Sequence, residues 1–172
     1  MDIQELRLAI DDIDNEILSM ILKRRELILE VTEYKKQHNV PIFTPEREQQ
    51  VLERVGETVG NDVLNDGIKL LYGILMDINK FHEYRHVPKN LSVPTDVGGA
   101  SVRAIIQDKP GALCRYLSPL AVAHVSIANI SSQAMPGGNL LVDLELLGRT
   151  DDPSFIAALA VLEDSAQKFT LL

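Results

Sequence analysis

From Ile3 to about Gln37 apolar residues recur in steps of three and four, at Ile3, Leu6, Ile10, Ile13, Ile17, Met20, Leu27, Val31 and Tyr34, with no Gly or Pro among them. That spacing puts them on one helical face. At about 1.5 Å per residue the helix is about 50 Å long. No single compact domain of this size buries a helix along such a length, so a second chain is expected to cover part of it. "HNVPIFT" ends the pattern, because Pro41 pushes Val40 out of the α region. A second helix is predicted from "TPERE" to about Val55, with Thr44 as N-cap, Pro45 at the first helical position and Glu46 and Glu48 near the positive end of the helix dipole. After the "GETVGND" turn, Leu64, Ile68, Leu71, Leu75, Ile78 and His82 mark a third helix over about Val63 to Tyr84.

The pattern then changes. Residues 86–100 hold two prolines, two glycines and no periodicity, as a linker does. "SVRAIIQ" predicts a strand, "PGALCRYLSPLAVA" a helix in spite of Pro119, and "VSIANISSQ" and "NLLVDLELLG" two strands around "AMPGGN". A helix over Pro153 to Asp164 and a last strand "KFTLL" complete β-α-β-β-α-β, the ferredoxin-like order. The expected organisation is an all-α three-helix unit (1–85), a linker (86–100) and an α+β ferredoxin-like unit (101–172).

A chain of 172 residues, 45% of them hydrophobic, has room for two modest cores. The net charge of −8 is spread so that both halves are acidic, and neither offers a basic face to nucleic acid. The one cysteine, Cys114, can form no intrachain disulfide and has no second thiolate for a metal site, which points to a reducing cytoplasm. "MDIQELRLAI" lacks the cationic start of a signal peptide, and no apolar run approaches the roughly 20 residues of a membrane span. A soluble protein is expected, with neither membrane nor nucleic acid as partner.

Charge enters the first helix in an unexpected place. Ile17, Ile21, Ile28 and Val31 share a stripe, and Arg24 and Lys35 continue it. The two cations are 11 residues apart, so they differ by about 20° in direction and about 16 Å in height. Arg7 points about 100° away from Arg24 and need not serve the same pocket. Long cations can snorkel from the edge of an apolar stripe. Both of these lie between apolar neighbours, however, and a desolvated charge needs an anion, either an acidic side chain or a bound dianion. Arg47 and Glu48 follow the second helix's start, and Asn79 and Glu83 are four apart on the third, hence neighbours on one face. Solvated surface positions would explain each pair taken alone.

Together these residues make a pattern. "ELRLAIDDIDNEILSMILKRRELILEVTEYKK" followed by "VPIFTPEREQQVLERV" resembles the all-helical chorismate mutases, with an L-R-x-x-I-D-x-I-D start, an R-R-E-L centre, a lysine 11 residues on, and P-x-R-E-x-x-V-L opening the second helix. The resemblance covers about residues 1–84. It implies an intertwined homodimer whose long helices each serve both sites. Arg24, Lys35, Arg47 and Glu48 then stand at substrate-binding positions, and Arg7 where the other subunit donates an arginine. Thr44 replaces an acidic or amide residue that helps hold the substrate hydroxyl. Asn79 falls where a hydroxyl residue is common, and Glu83 where Gln or Glu stands. A one-residue slip would put Ile78 and His82 there instead, and an apolar residue in the site makes Asn79 and Glu83 the preferred register.

The implied chemistry suits these residues. Conversion of chorismate to prephenate is a pericyclic rearrangement that needs no nucleophile, metal or cofactor. It is helped by holding the dicarboxylate in a compact chair-like conformer and by stabilising negative charge on the ether oxygen. The resemblance assigns the carboxylates to Arg24, Arg47 and the other subunit's Arg7, the ether oxygen to Lys35 and the ring hydroxyl to Glu48. Glu83 would help in its protonated form, since a carboxylate there would repel the developing charge.

In the second half, "DKPGAL", with "VSIANISSQAMP" beginning 14 residues after Gly111, resembles an ACT domain, a small ligand-sensing module of amino-acid biosynthetic enzymes. The resemblance implies an effector near Asp108, Pro110, Gly111, Ala112 and Leu113 and the start of the second strand at Ser126. An aromatic amino acid is the expected effector class. "SSQA" stands where phenylalanine-sensing relatives carry Glu-Ser-Arg-Pro, so effector identity stays open. The expected protein is a cytoplasmic, homodimeric or larger chorismate mutase, an isomerase of aromatic amino-acid biosynthesis under allosteric control. The alternative is a catalytically silent amino-acid sensor on the same scaffold.

Overall fold

The computed structural model describes residues 2–60, 63–93 and 98–172. The chain divides into two units, one ending at Pro41 and the other beginning at Ile42. The first is essentially one helix, α1 (Ile3–Gln37). Asp2 caps it: its carboxylate accepts from the Gln4 and Glu5 backbone N–H groups at 2.7 and 2.9 Å, and Glu5 accepts from the Asp2 N–H at 2.7 Å. This reciprocal box satisfies two N–H groups that the helix geometry leaves over. Most apolar side chains of α1 stay exposed, Ile10 and Ile13 each at 56%.

The second unit opens with α2 (Pro45–Val59) and α3 (Asn65–His86), which pack on each other. Helix α2 runs four residues past the expected end at Val55, through part of the expected "GETVGND" turn; residues 61–62 of that turn lie outside the described residues. Gly56 lies within this helix, and its missing Cβ leaves room for the Lys69 side chain to lie across it. Gly60, at φ +70°, ends the helix. Asn65 then ties the two helices together, donating to the Gly56 carbonyl at 2.9 Å and to the Gly60 carbonyl. Thr44 sits at the N-cap position of α2, but its side chain makes no capping hydrogen bond.

Of the expected linker 86–100, residues 94–97 lie outside the described residues. Its earlier part is anchored. Lys89 reaches Glu163 at 2.6 Å and Asp164 at 2.7 Å, and Leu91 and Val93 pack against the core. Tyr84 donates to the same Asp164. Burial, and then that carboxylate, push the Tyr84 hydroxyl well above its ordinary pKa.

From there the chain follows β1 (Gly99–Gln107), α4 (Ala112–Val122), β2 (Ser126–Met135), β3 (Asn139–Leu147), α5 (Pro153–Asp164) and β4 (Lys168–Leu171). The sheet order is β2-β3-β1-β4 with every neighbouring pair antiparallel, which is the ferredoxin-like topology. Alternation puts Val102, Ala104 and Ile106 of β1 and Val142, Leu144 and Leu146 of β3 into one core. Helix α4 continues through Pro119, which has no N–H for the Arg115 carbonyl four residues back. The Ser118 hydroxyl donates to that carbonyl instead, at 2.8 Å. Residues Ala157–Leu162 of α5 are buried all round, because α5 also packs on α3 and α4. No helix among the described residues is long and apolar enough to cross a membrane.

Candidate active site

Helix α1 carries six basic residues: Arg7, Lys23, Arg24, Arg25, Lys35 and Lys36. Only Arg24 and Lys35 are partly buried; the other four are exposed. The helix positions that are not exposed are Arg24, Ile28, Thr32 and Lys35, a single stripe in steps of four, four and three. Thr32 turns its hydroxyl back to the Ile28 carbonyl at 2.7 Å, so it presents its methyl group. Arg7 is exposed about one turn from the N-terminus of α1.

In the second unit, burial separates the two pairs of α3 residues. Asn79 and Glu83 are 6% and 4% exposed, whereas Ile78 and His82 are only partly buried. The inward pair is therefore the polar one. The Asn79 amide nitrogen is buried without a hydrogen-bond partner among the described residues, a costly arrangement for a donor. On α2, Thr44 and Arg47 are exposed and Glu48 is partly buried.

Glu48 belongs to a cluster that sequence reasoning did not anticipate. Lys80 of α3 lies 3.1 Å from one Glu48 oxygen and 2.8 Å from Asp77, which is 1% exposed. Arg115 of α4 meets Asp77 with two N–H groups, at 2.8 and 3.2 Å, and donates to the other Glu48 oxygen. Two carboxylates and two cations cancel, so the quartet is neutral and each charge has partners. The Lys80 ammonium also lies over the Phe43 ring, 4.6 Å from its centre. Burial works to raise the Glu48 pKa, but Lys80 and Arg115 together hold it below its ordinary value. Burial also works against the Arg115 charge, and Asp77 and Glu48 more than offset it. Asp77 and Lys80 lie beside the apolar series of α3 and carried no signal of their burial in the sequence. The identity of their partners was not legible.

The residues expected to hold an effector divide. Pro110, Gly111 and Ala112 line a cavity of about 330 Å³ together with Lys109, Lys69 and Asp66. Gly111, at φ +79°, makes the left-handed turn into α4, and a Cβ there would press on Leu70. Asp108 and Leu113 do not line this cavity, and Ser126 is exposed at the start of β2. Arg115 lies on the cavity wall. It also borders a second cavity of about 400 Å³ that includes Glu48, Tyr116 and Asp164.

Comparison with known proteins agrees with the geometry of the helices. Residues 6–84 match the family described as chorismate mutase type II. A chorismate mutase of Methanocaldococcus jannaschii is 36% identical over 77 residues, 44% of this chain and 78% of that protein. The bifunctional chorismate mutase/prephenate dehydratase of Aquifex aeolicus is 41% identical over 54 residues, 31% of this chain but only 15% of that longer protein. Among solved structures, likeness extends to GqqA, titled a novel type of quorum quenching acylase (TM-score 0.42, 23% identity, 49% of this chain and 45% of that one). It extends also to a prephenate dehydratase in complex with L-Phe from Arthrobacter aurescens (TM-score 0.40, 22% identity, 49% and 29%).

Proposed function

The chain belongs to the type II chorismate mutase family and is a chorismate mutase; from that premise we propose a site made of Arg24, Lys35, Thr44, Arg47, Glu48, Asn79 and Glu83, with Arg7 supplied by the partner subunit. One observation carries this assignment: of the six basic residues on α1, the two that are partly buried are Arg24 and Lys35. Chorismate brings two carboxylates, the anions that arginine and lysine bind by charge-assisted hydrogen bonds. The arginines fix those carboxylates and so select the compact conformer. Lys35 stabilises charge on the ether oxygen as the C–O bond breaks, and Glu83 in its protonated form donates there too. Asn79, with its buried amide N–H, is a further donor, and Glu48 accepts from the ring hydroxyl.

The exposed apolar face of α1 supports a homodimer or larger assembly, in which a second copy covers Ile10, Ile13 and Ile17. The mutase portion is residues 1–85, joined through 86–100 to a regulatory ACT portion, 101–172, in a cytoplasmic enzyme of aromatic amino-acid synthesis. The cavity beside Pro110–Ala112 supports the regulatory part of this reading. It is lined by cations (Lys69, Lys109) and by carboxylates (Asp66, Glu53), the two charges that a free amino acid needs. The test is loss of chorismate absorbance on addition of the purified protein, with and without phenylalanine, tyrosine or tryptophan. No turnover overturns the catalytic assignment and favours the silent sensor; turnover indifferent to all three overturns aromatic control. Subunit exchange between inactive Arg7→Ala and Arg24→Ala chains should restore activity, since one site of each mixed dimer then has both arginines. Exchange without recovery overturns the role of Arg7.

A further inference from the structure

Arg115 lies outside residues 6–84, the span matched to the mutase family, and belongs to the first turn of α4 in the ferredoxin-like part. It nevertheless donates to Glu48 on α2 and to Asp77 on α3. Room for this reach is provided by Gly73, because a Cβ on that residue would fall 2.8 Å from the Arg115 Nε, 3.1 Å from Cζ and 3.0 Å from Cδ. The planar guanidinium is suited to the task, engaging both Asp77 oxygens while one of its nitrogens also serves Glu48. A lysine is a point charge without the planar fork that engages both oxygens of one carboxylate. Without Arg115, Lys80 alone would face two carboxylates, and Glu48 would lose the contact on one of its two oxygens.

We propose that Arg115 is a positioning residue for the mutase reaction: reaching from the ferredoxin-like part, it fixes the Glu48 carboxylate in the orientation that receives the substrate hydroxyl. The inference rests on the mutase reading and deepens it, because it makes the C-terminal part a component of the machinery around the site. Arg115 acts through Glu48, with no contact to substrate of its own.

The experiment is a double-mutant cycle on the full chain, measuring kcat and KM for chorismate. Arg115→Ala should lower kcat/KM about 10- to 100-fold, mainly through KM, since hydroxyl binding is what Glu48 provides. In a Glu48→Gln background the same change should cost less than about twofold, because the group it orients is already altered. Arg115→Lys should recover part of the loss. Gly73→Ala keeps every charge, displaces the guanidinium and should reproduce part of the loss, so the inference remains open to test if Arg115→Ala folds poorly. An Arg115→Ala enzyme with unchanged kcat/KM, or a loss equally large in the Glu48→Gln background, overturns the proposal and leaves the mutase reading intact. A parent chain without turnover overturns the mutase reading, and the proposal falls with it.

Discussion

Helices α1 and α5 are both rich in apolar residues, and their surroundings are opposite. The side chains of Ala158–Leu162 in α5 have no exposed surface, whereas Ile3, Leu8 and Leu27 of α1 each leave 60% or more of theirs to solvent. α5 lies within the core formed by β1, β3, α4 and the end of α3, so the C-terminal part holds its own dry interior. α1 has a well-formed cap and an unbroken pattern but little burial, and helix propensity alone stabilises such a segment weakly. The difference teaches that α5 is enclosed by elements of its own chain, whereas α1 leaves most of its apolar side chains to solvent.

Breaking the exposed face of α1 should have the largest effect. Ile10→Asp combined with Ile17→Asp should abolish the dimer in sedimentation and remove activity, because charge cannot be buried in an apolar seam without a partner. A variant that stays dimeric and active would show that this face is not the interface. Replacing Arg24 or Lys35 with Ala should lower kcat/KM about 10²- to 10⁴-fold, from roughly 3 to 5 kcal/mol of charge-assisted contact in a dry site, with little loss of helical ellipticity. Activity within about threefold of the parent would refute the assignment.

Leu159→Ala probes the other side of the comparison. It should destabilise the C-terminal part by about 2 to 5 kcal/mol, as expected when a fully buried leucine leaves a cavity, and chemical denaturation would measure it. Ile13→Ala, at an exposed site of the single chain, should cost comparably only where the dimer covers it, so its effect should depend on protein concentration. Glu83→Gln should keep or raise activity at neutral pH and flatten any rise in kcat/KM toward acid, since Gln is a neutral donor of the same shape. If Glu83→Gln is silent and His82→Ala removes the pH dependence, the alternative register is correct.

The smallest expected effect is on stability against pH. The Glu48 pKa is held below its ordinary 4.5 in the folded chain, so its ion pairs contribute stability fully above that value. The contribution is lost as pH falls through the lower folded value. Melting temperature should therefore decline on acidification below about pH 4.5, and Glu48→Gln should show a shallower decline over that window. An identical pH dependence in the two proteins would remove Glu48 from the account.

Local interactions made much of this protein legible before any fold was seen. The ends of α1 were readable because its period is sustained for 35 residues and nothing within it breaks a helix. The ferredoxin-like order was readable because strand alternation, turn residues and helix starts are local signals. Long-range contacts decided the rest. Lys69, 13 residues further on, lies across Gly56 of α2 in the space a Cβ would take. The outer side of α5 is dry because α3 packs on it. Glu48 is clamped by Arg115, 67 residues away, a pairing with no local trace because charge attraction acts through space and the fold alone brings α4 to α2.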